Sequence, residues 1–466
     1  MNYSEQEQYL RNSHAWAAGF AVVLLVLAAI CLRTAGGLSI YVTIAFGLIV
    51  AALAIFLSYT PDYLHVTSNP GKAARWEVRV RWRILGAALV LGLLSASNVR
   101  EAIVVVLAIV WLVCANLQAR ATVTPRNAAA YFWLTDVGLL VVLLPVQGMP
   151  LLLGAALLAA AAHLSVVICQ KRCFAWAAFV SGASAVFLYF FGRQVGTDPK
   201  LLFASIGLLV MSALATAWLV HRAQKHSAKN VSTAIAELKD FTGYSEEKVR
   251  QLWLTSNQQL AANWEKAHLA EDDAERMAEW YRENSELYLF AISAYNLEFK
   301  RIRSNLGVLK YARGACLDYG AGNGELLLEL ARQGHPVTYY DVDGKTMQFA
   351  RRRAQQRGLT MEFARAKDDL TAATKKRGFD TVFSFDVLEH LPDLPGELGF
   401  LSSLLAPGGR MMFDVPAGST KAHPMHLNHN LDVTAFLLAR GMQEERNLAE
   451  SIPFKKQEKY IFRAKA

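Results

Sequence analysis

The sequence predicts a chain in three parts behind a short tail, 1–14: an all-α transmembrane domain of about eight helices over 15–220, a helical connector over 221–305, and a seven-stranded, doubly wound α/β domain over 306–466. Three observations predict it. Eight apolar segments fill the first 220 residues. A polar stretch dotted with aromatics follows. Then a short apolar strand runs into a glycine-rich turn and a helix, and strand–helix alternation continues to the end.

A chain of 466 residues is long enough for two to four domains. Its net charge of +9 raises nucleic acid as a partner. Much of the Lys and Arg excess, however, stands in loops between apolar segments, so the charge is topological and no nucleic-acid partner is expected. The cysteines Cys31, Cys114, Cys169, Cys173 and Cys316 are scattered and odd in number. Cys169-x-x-x-Cys173 has no partner pair for zinc, and all read as structural thiols.

The apolar segments run over 15–32, 38–59, 84–97, 102–117, 128–146, 150–169, 174–191 and 201–220. Most approach the roughly 20 residues a helix needs to cross a bilayer. The third and fourth are short, but merging them would bury Arg100 and Glu101 in the middle of one overlong helix. Lys72, Arg75, Arg79, Arg81 and Arg83 follow the second segment, Arg120 and Arg126 the fourth, Lys171 and Arg172 the sixth, and Arg222, Lys225 and Lys229 the eighth. The other side carries only Arg33, Arg100, Arg193 and Lys200. The positive-inside rule then puts both termini and the α/β domain in the cytoplasm, with a bacterial inner membrane as the expected location. The first segment does not read as a signal peptide: Glu5 and Glu7 precede it and another span follows directly. Asp136 and His163 are the ionisable residues within spans to watch; such groups face a cavity or sit paired in a helix interface.

In the connector, Ser245 followed by Glu246 and Glu247 reads as a helix start. Trp253, Trp264, Trp280, Tyr281, Tyr288, Phe290, Tyr295 and Phe299 recur at roughly helical spacing. That pattern favours core over a ligand box, with a helical cap over the next domain's pocket as the functional alternative. Lys300, Arg301 and Arg303 suit either anionic headgroups or a solvated face.

The α/β domain is organised around Cys316-Leu317-Asp318-Tyr319-Gly320-Ala321-Gly322-Asn323-Gly324-Glu325. Three alternate glycines allow a tight turn and close approach to a ligand. The helix that follows, 325–333, offers free N–H groups at the carboxyl end of a first strand, 315–319. A dinucleotide fingerprint wants G-x-G-x-x-G, and its third glycine would fall on Glu325. Strand two, 336–340, ends at Asp341, about 20 residues past the turn, where a carboxylate can take both ribose hydroxyls; Asp343 ranks second. A helix over 345–356 stops at Gly358. Strand three, 361–364, leads to Ala366, Lys367, Asp368 and Asp369. Strand four, 380–385, runs into Asp386-Val387-Leu388-Glu389-His390-Leu391-Pro392. A helix to about 405 and the turn Ala406-Pro407-Gly408-Gly409 lead into strand five, 410–415. A helix over 433–439 and strands near 443–448 and 458–464 complete the sheet.

The pattern Asp318-x-Gly320-x-Gly322-x-Gly324, with Asp341, the D-x-x-E-H stretch at 386–390 and the L-x-P-G-G turn at 405–409, resembles the class I S-adenosylmethionine-dependent methyltransferases. The resemblance covers about 160 residues, 306–466, and none of the rest. It implies a Rossmann-like fold and S-adenosylmethionine as methyl donor. It also implies donor contacts at Asp318, Gly320, Ala321, Gly322, Asn323, Gly324, Asp341, Val342, Lys367 and Asp386. Relatives often place an acid after strand three for the adenine amino group; Ala366 stands there instead, which leaves the backbone of Lys367 or the side chain of Asp368.

An oxygen or nitrogen acceptor needs a general base, and neutral histidine suits that near physiological pH. The candidates are His390 and, after it, His423, His426 and His429 in the loop following strand five. Three histidines in that loop raise a metal site, but they have no Cys or acid at ligand spacing, and the resembled family transfers methyl groups without metal in most branches. No metal is expected. Eight spans beside a catalytic domain suggest an acceptor that lives in the bilayer: a lipid headgroup, a polyprenyl-linked intermediate or a quinone. The alternatives are a membrane sensor or scaffold with an inactive, cofactor-binding domain, and a transporter fused to an enzyme that modifies its cargo. No N-P-P-[YF]-type motif follows strand four, which again argues against nucleic acid. The sequence leaves oligomeric state open.

Overall fold

The computed structural model describes residues 199–466 except 376, 417, 421–422, 447–458 and 466, with scattered helical positions between 5 and 189. Apart from those positions, the first seven predicted crossings, with Asp136 and His163, lie outside the described residues. The eighth coincides with the start of helix α1 (Pro199–Thr242). That helix does not stop at 220. No glycine or proline interrupts it after Gly207, so it continues unbroken through His221, Arg222, Lys225 and Lys229 until Gly243, at φ +72°, ends it. Among the described residues no helix is long and apolar enough to cross a membrane. The predicted eight-helix membrane domain therefore has no counterpart in the described structure.

The chain divides into two compact units, Glu7–Ala228 and Met1–Gln6 with Lys229–Ala466. In the first, Tyr9 stacks on His226 with ring centroids 3.8 Å apart, and Trp16 meets Trp218 edge-on at 5.1 Å. The second contains the remainder of the predicted connector and the whole α/β domain.

Helices α2 (Glu246–Ala267), α3 (Ala274–Glu283), α4 (Ser285–Tyr295) and α5 (Phe299–Leu309) form the connector. The cap of α2 is the one the sequence signals: Ser245 Oγ accepts from the N–H of Lys248 at 3.2 Å, and Glu246 and Glu247 lie in the first turn, where the helix dipole favours negative charge. The aromatics are mainly core. Trp280 is buried and meets Trp264 edge-on at 4.9 Å, while Phe290 packs with Leu252, Leu289 and Phe349.

The α/β domain runs β1 (Cys316–Tyr319), α6 (Glu325–Arg332), β2 (Val337–Tyr340), α7 (Lys345–Gln356), β3 (Glu362–Ala364), α8 (Lys367–Thr374), β4 (Phe379–Ser384), α9 (Leu394–Ser403), β5 (Leu405–Asp414), α10 (Val433–Ala439), β6 (Gln443–Glu444) and β7 (Lys459–Arg463). The sheet order is β3-β2-β1-β4-β5-β7-β6. The first five strands pair in parallel, and β7 is antiparallel to both β5 and β6. It is a seven-stranded Rossmann-like sheet of mixed direction. Successive strand residues alternate between two cores, as a period of two requires. Cys316, Phe383, Met412 and Ile461 pack with Leu327, Leu330, Met347 and Ala350 on one face. Leu317, Val382, Met411, Phe413 and Phe462 pack with Leu370, Leu398, Leu401 and Leu437 on the other. Burial on both faces explains the near-continuous apolar runs of these strands.

Three local features depart from the sequence reading. Helix α8 is an addition: Asp369 Oδ2 reaches back to the N–H groups of Arg365 and Ala366, satisfying donors at the helix start. Strand β5 begins at Leu405, and Ala406-Pro407-Gly408-Gly409 forms an irregularity inside it, pairing shifting from Phe379↔Leu405 to Thr381↔Arg410. Proline has no N–H for a ladder, and a bulge accommodates it. Strand β6 has only two residues.

Candidate functional site

The order of the strands reverses between β1 and β4, and both run in the same direction. Ligands of such folds lie outside the carboxyl ends of the strands at that point. The glycine turn follows β1, and Asp386-Val387-Leu388-Glu389-His390 follows β4.

All three glycines of the turn have positive φ: +83° at Gly320, +55° at Gly322 and +73° at Gly324. A Cβ on Gly320 would sit 2.2 Å from Cγ2 of Val387, and one on Gly324 would sit 2.9 Å from Cβ of Ala350. The turn is thus pressed against the β4 loop and α7, and only glycine fits either position. Ala321 is buried against the core, and its N–H donates to Tyr340 O at 3.1 Å.

Asp341 ties the turn to β2. Its Oδ2 accepts from the N–H of Gly322 at 2.6 Å and its Oδ1 from the N–H of Val342 at 2.7 Å. A carboxylate offers about four acceptor positions, so two remain for ribose hydroxyls. Burial lifts its pKa to about 6, against the pull of the two N–H groups. Asp318 is buried and has no hydrogen-bond partner among the described residues. Burial pushes its carboxyl up to about 7; Arg301 draws it down and Asp341 pushes it further up. An unpaired buried carboxyl beside the glycine turn fits a ligand that brings its own ammonium group.

Two predicted contacts are placed otherwise. Asn323 turns its side chain into the connector, accepting from Nδ2 of Asn296 at 2.9 Å and donating to Ser293 Oγ at 3.2 Å. It fastens the turn to α4, so only its backbone is left for a donor. The ammonium of Lys367 lies 2.5 Å from Glu397 Oε1 and over the Phe400 ring, which leaves its backbone at the start of α8. Asp386 adopts φ +58°, uncommon for a residue with a side chain. Its N–H donates to Asp414 Oδ1 at 2.6 Å, and its Oδ2 accepts from Arg301 Nη1 at 2.8 Å. Arg301 is therefore turned inward and not toward headgroups; the side chains of Lys300 and Arg303 lie outside the described residues.

The loop after β5 folds back over the D-x-x-E-H stretch, where the N–H of Leu427 donates to Glu389 O at 2.7 Å. This brings His426 beside His390, ring centroids 4.7 Å apart. Nε2 of His390 lies 3.9 Å from Glu389 Oε1, and Nε2 of His426 lies 4.0 Å from the same oxygen. Nδ1 of His390 is already engaged, 2.9 Å from the Tyr281 hydroxyl and 3.2 Å from Met425 O. His423 stacks on His426 at 5.1 Å from an exposed position. His429 lies against the backbone of Leu388 and Glu389, with Nε2 buried and without a hydrogen-bond partner in the structure.

Glu389 is completely buried, and neither of its carboxylate oxygens has a hydrogen-bond partner. Burial and the charges of Asp414 and Asp386 push its pKa well above the usual carboxylate range. The histidines move the other way. Burial, reinforced by the neighbouring His426, takes His390 down to about 3. Burial and His423 take His426 down to about 4, and burial lowers His429. A general base works best with a pKa near the operating pH. Neither His390 nor His426 is poised as the base the sequence suggested; desolvation of the imidazolium is the reason.

Sequence reasoning set a metal aside because no acid stood at ligand spacing. The fold supplies one: ligand atoms of Glu389, His390 and His426 all lie within 4.8 Å of one another. Tyr281 and Arg301 also went unmarked as site residues. The D-x-x-E-H motif contains Glu389, and the aromatic pattern of the connector, with its alternative of a cap over the pocket, is the signal that includes Tyr281.

Fold and site together define an S-adenosylmethionine-dependent methyltransferase domain. Residues 288–452 match the family model described as a methyltransferase domain. The chain is 31% identical over 144 residues to a ubiquinone biosynthesis O-methyltransferase of Nitrosococcus oceani, covering 31% of this chain and 59% of that protein. It is 36% identical over 96 residues to the protein of the same description from Paramagnetospirillum magneticum, covering 21% and 38%. The chain thus spans about half the length of the curated relatives it matches. Among solved structures, magnesium protoporphyrin IX methyltransferase of Synechocystis PCC 6803 with bound S-adenosylmethionine aligns at 19% identity and a TM-score of 0.33, over 43% of this chain and 100% of that one.

Proposed function

We propose that the protein is a membrane-integral methyltransferase that methylates a hydroxyl group on a lipid-soluble acceptor, its catalytic domain on the cytoplasmic side. The observation that carries the reading is the meeting of two constellations at one sheet edge: the glycine turn with Asp318 and Asp341, and the Glu389–His390–His426 cluster with Asp386. The membrane part rests on the lengths of the apolar segments before residue 220 and the basic residues between them. The curated relatives' description as O-methyltransferases of ubiquinone biosynthesis favours oxygen as the methylated atom and a quinone-like acceptor.

S-adenosylmethionine, when bound, supplies a methyl group already activated by the sulfonium charge. Asp341 would take the ribose hydroxyls and Asp318 the ammonium group, while the N–H groups of Gly320, Ala321, Gly322 and Gly324 are already held within the protein. The protein's main task is then alignment and exclusion of water. Tyr281 joins the connector's aromatic cluster, with Trp280 and Tyr288, to His390. The Glu389–His390–His426 cluster meets that aromatic group where the Tyr281 hydroxyl contacts His390.

Transfer of labelled methyl groups in membranes holding the full chain tests this, with an Asp341→Ala control. Asp341-dependent label in the organic extract is expected. Label confined to the aqueous or protein fraction would overturn the lipid-soluble acceptor, and no label together with no S-adenosylhomocysteine binding would overturn the enzyme.

A further inference from the structure

We propose that Glu389, His390 and His426 form a binding site for one divalent transition-metal ion. Two neutral imidazoles and a carboxylate are the donor set that suits zinc, iron, manganese or nickel, whereas magnesium prefers oxygen alone.

The strongest argument is the state of Glu389. A carboxylate with both oxygens buried and unbonded is costly, and buried charges are normally paired or coordinated to a metal. No side chain donates to either oxygen, and two imidazole nitrogens lie 3.9 and 4.0 Å from one of them. A cation between them satisfies all three groups. Metal bonds of about 2.0–2.2 Å place neighbouring donors about 3.0–3.5 Å apart, so each imidazole nitrogen approaches the Glu389 oxygen by about 0.5–1 Å on loading.

The surroundings agree. A ligating histidine ordinarily gives its second N–H to a carbonyl or carboxylate, which fixes the ring. His390 has that arrangement, with Nδ1 3.2 Å from Met425 O and Nε2 left toward Glu389. The local charge also favours a cation. Asp386 and Asp414 face Glu389, and Arg301 is the cation paired with Asp386. His423, stacked on His426, stands ready as a further neighbour. Three protein donors leave open positions for water or for the oxygens of an acceptor.

The test measures ion binding and needs no acceptor, so it fails or succeeds independently of the proposed methyl transfer. The full chain, prepared without a histidine tag, is stripped with chelator and equilibrated with Zn²⁺ or Mn²⁺ at micromolar free concentration. Bound metal is then counted by mass spectrometry. About one ion per chain is expected for the wild type, with at least tenfold weaker binding in Glu389→Gln and His426→Ala. Circular dichroism and thermal melting report folding. Should Glu389→Gln fail them, His426→Ala, at a less buried position, decides alone. Wild-type protein that retains neither ion overturns the site, and so does unchanged retention in a folded His426→Ala variant.

Discussion

The hydroxyl of Tyr281 lies 2.9 Å from Nδ1 of His390. A residue of the connector thereby orients the imidazole ring of the D-x-x-E-H stretch. A hydrogen bond of this kind contributes about 1 kcal/mol. Tyr281→Phe should lower kcat about fivefold and leave the affinity for S-adenosylhomocysteine unchanged. Loss of that affinity would mean that Tyr281 acts only through the fold. Isothermal titration beside steady-state rates separates the two.

Gly320→Ala should be severe. The backbone is in the left-handed region, and the new Cβ would meet Val387. Strain of about 1–2 kcal/mol adds to overpacking of about 1–3 kcal/mol. Thermal melting should show the loss of stability, and S-adenosylhomocysteine affinity should fall at least tenfold, because the turn must move away from the β4 loop.

Asp318 links stability to pH. Its pKa is about 7 in the folded protein and about 3.9 in an unfolded chain. Between those values the folded state holds a proton that the unfolded state has lost, so stability falls as pH rises through that window. The favourable contribution is complete below about pH 4 and gone above about pH 7. Asp318→Asn should therefore raise the melting temperature of ligand-free protein at pH 8, by up to about 4 kcal/mol of stability, with the gain vanishing near pH 4. The same change should weaken S-adenosylhomocysteine binding, since the ammonium partner is lost. An unchanged melting temperature at pH 8 would remove the unpaired carboxylate from the account.

Arg353 holds the turn's helix to the connector. Its guanidinium is buried, 2.7 Å from Glu325 Oε2, 3.1 Å from Glu237 Oε2 and 3.0 Å from Asn323 O. Burial is the largest influence on Glu325 and raises its pKa; the charge and the hydrogen bond of Arg353 are among the opposing pulls that together hold the carboxyl at about 2. Arg353→Ala removes one partner of the buried Glu325 carboxyl, which costs up to about 3–5 kcal/mol. The Glu325 contribution is present above pH ~4.5 and is lost as pH falls toward 2. The deficit of the variant, followed by chemical denaturation, should accordingly shrink at low pH.

What the sequence determined by itself is local. Three alternate glycines after an apolar strand require positive φ whatever surrounds them, and they have it. Asp341 lies at the end of β2 because a period of two and a short connection leave it nowhere else, and its oxygens do meet the turn. Ser245 caps its helix because the donor it serves is three residues away. Backbone geometry and hydrogen bonds of this range depend on a few neighbouring residues, so the sequence displays them directly.

The tertiary structure decided the rest. Glu389 is an ordinary motif acid until the loop after β5 folds over it and seals both oxygens from water. His390 reads as a base until burial removes its affinity for protons. Arg301 reads as a surface charge until α5 turns it onto Asp386. Tyr281 stands 109 residues from the imidazole it touches. Desolvation and pairing depend on which elements pack together, and that is set by the cooperative burial of two cores and not by any local spacing.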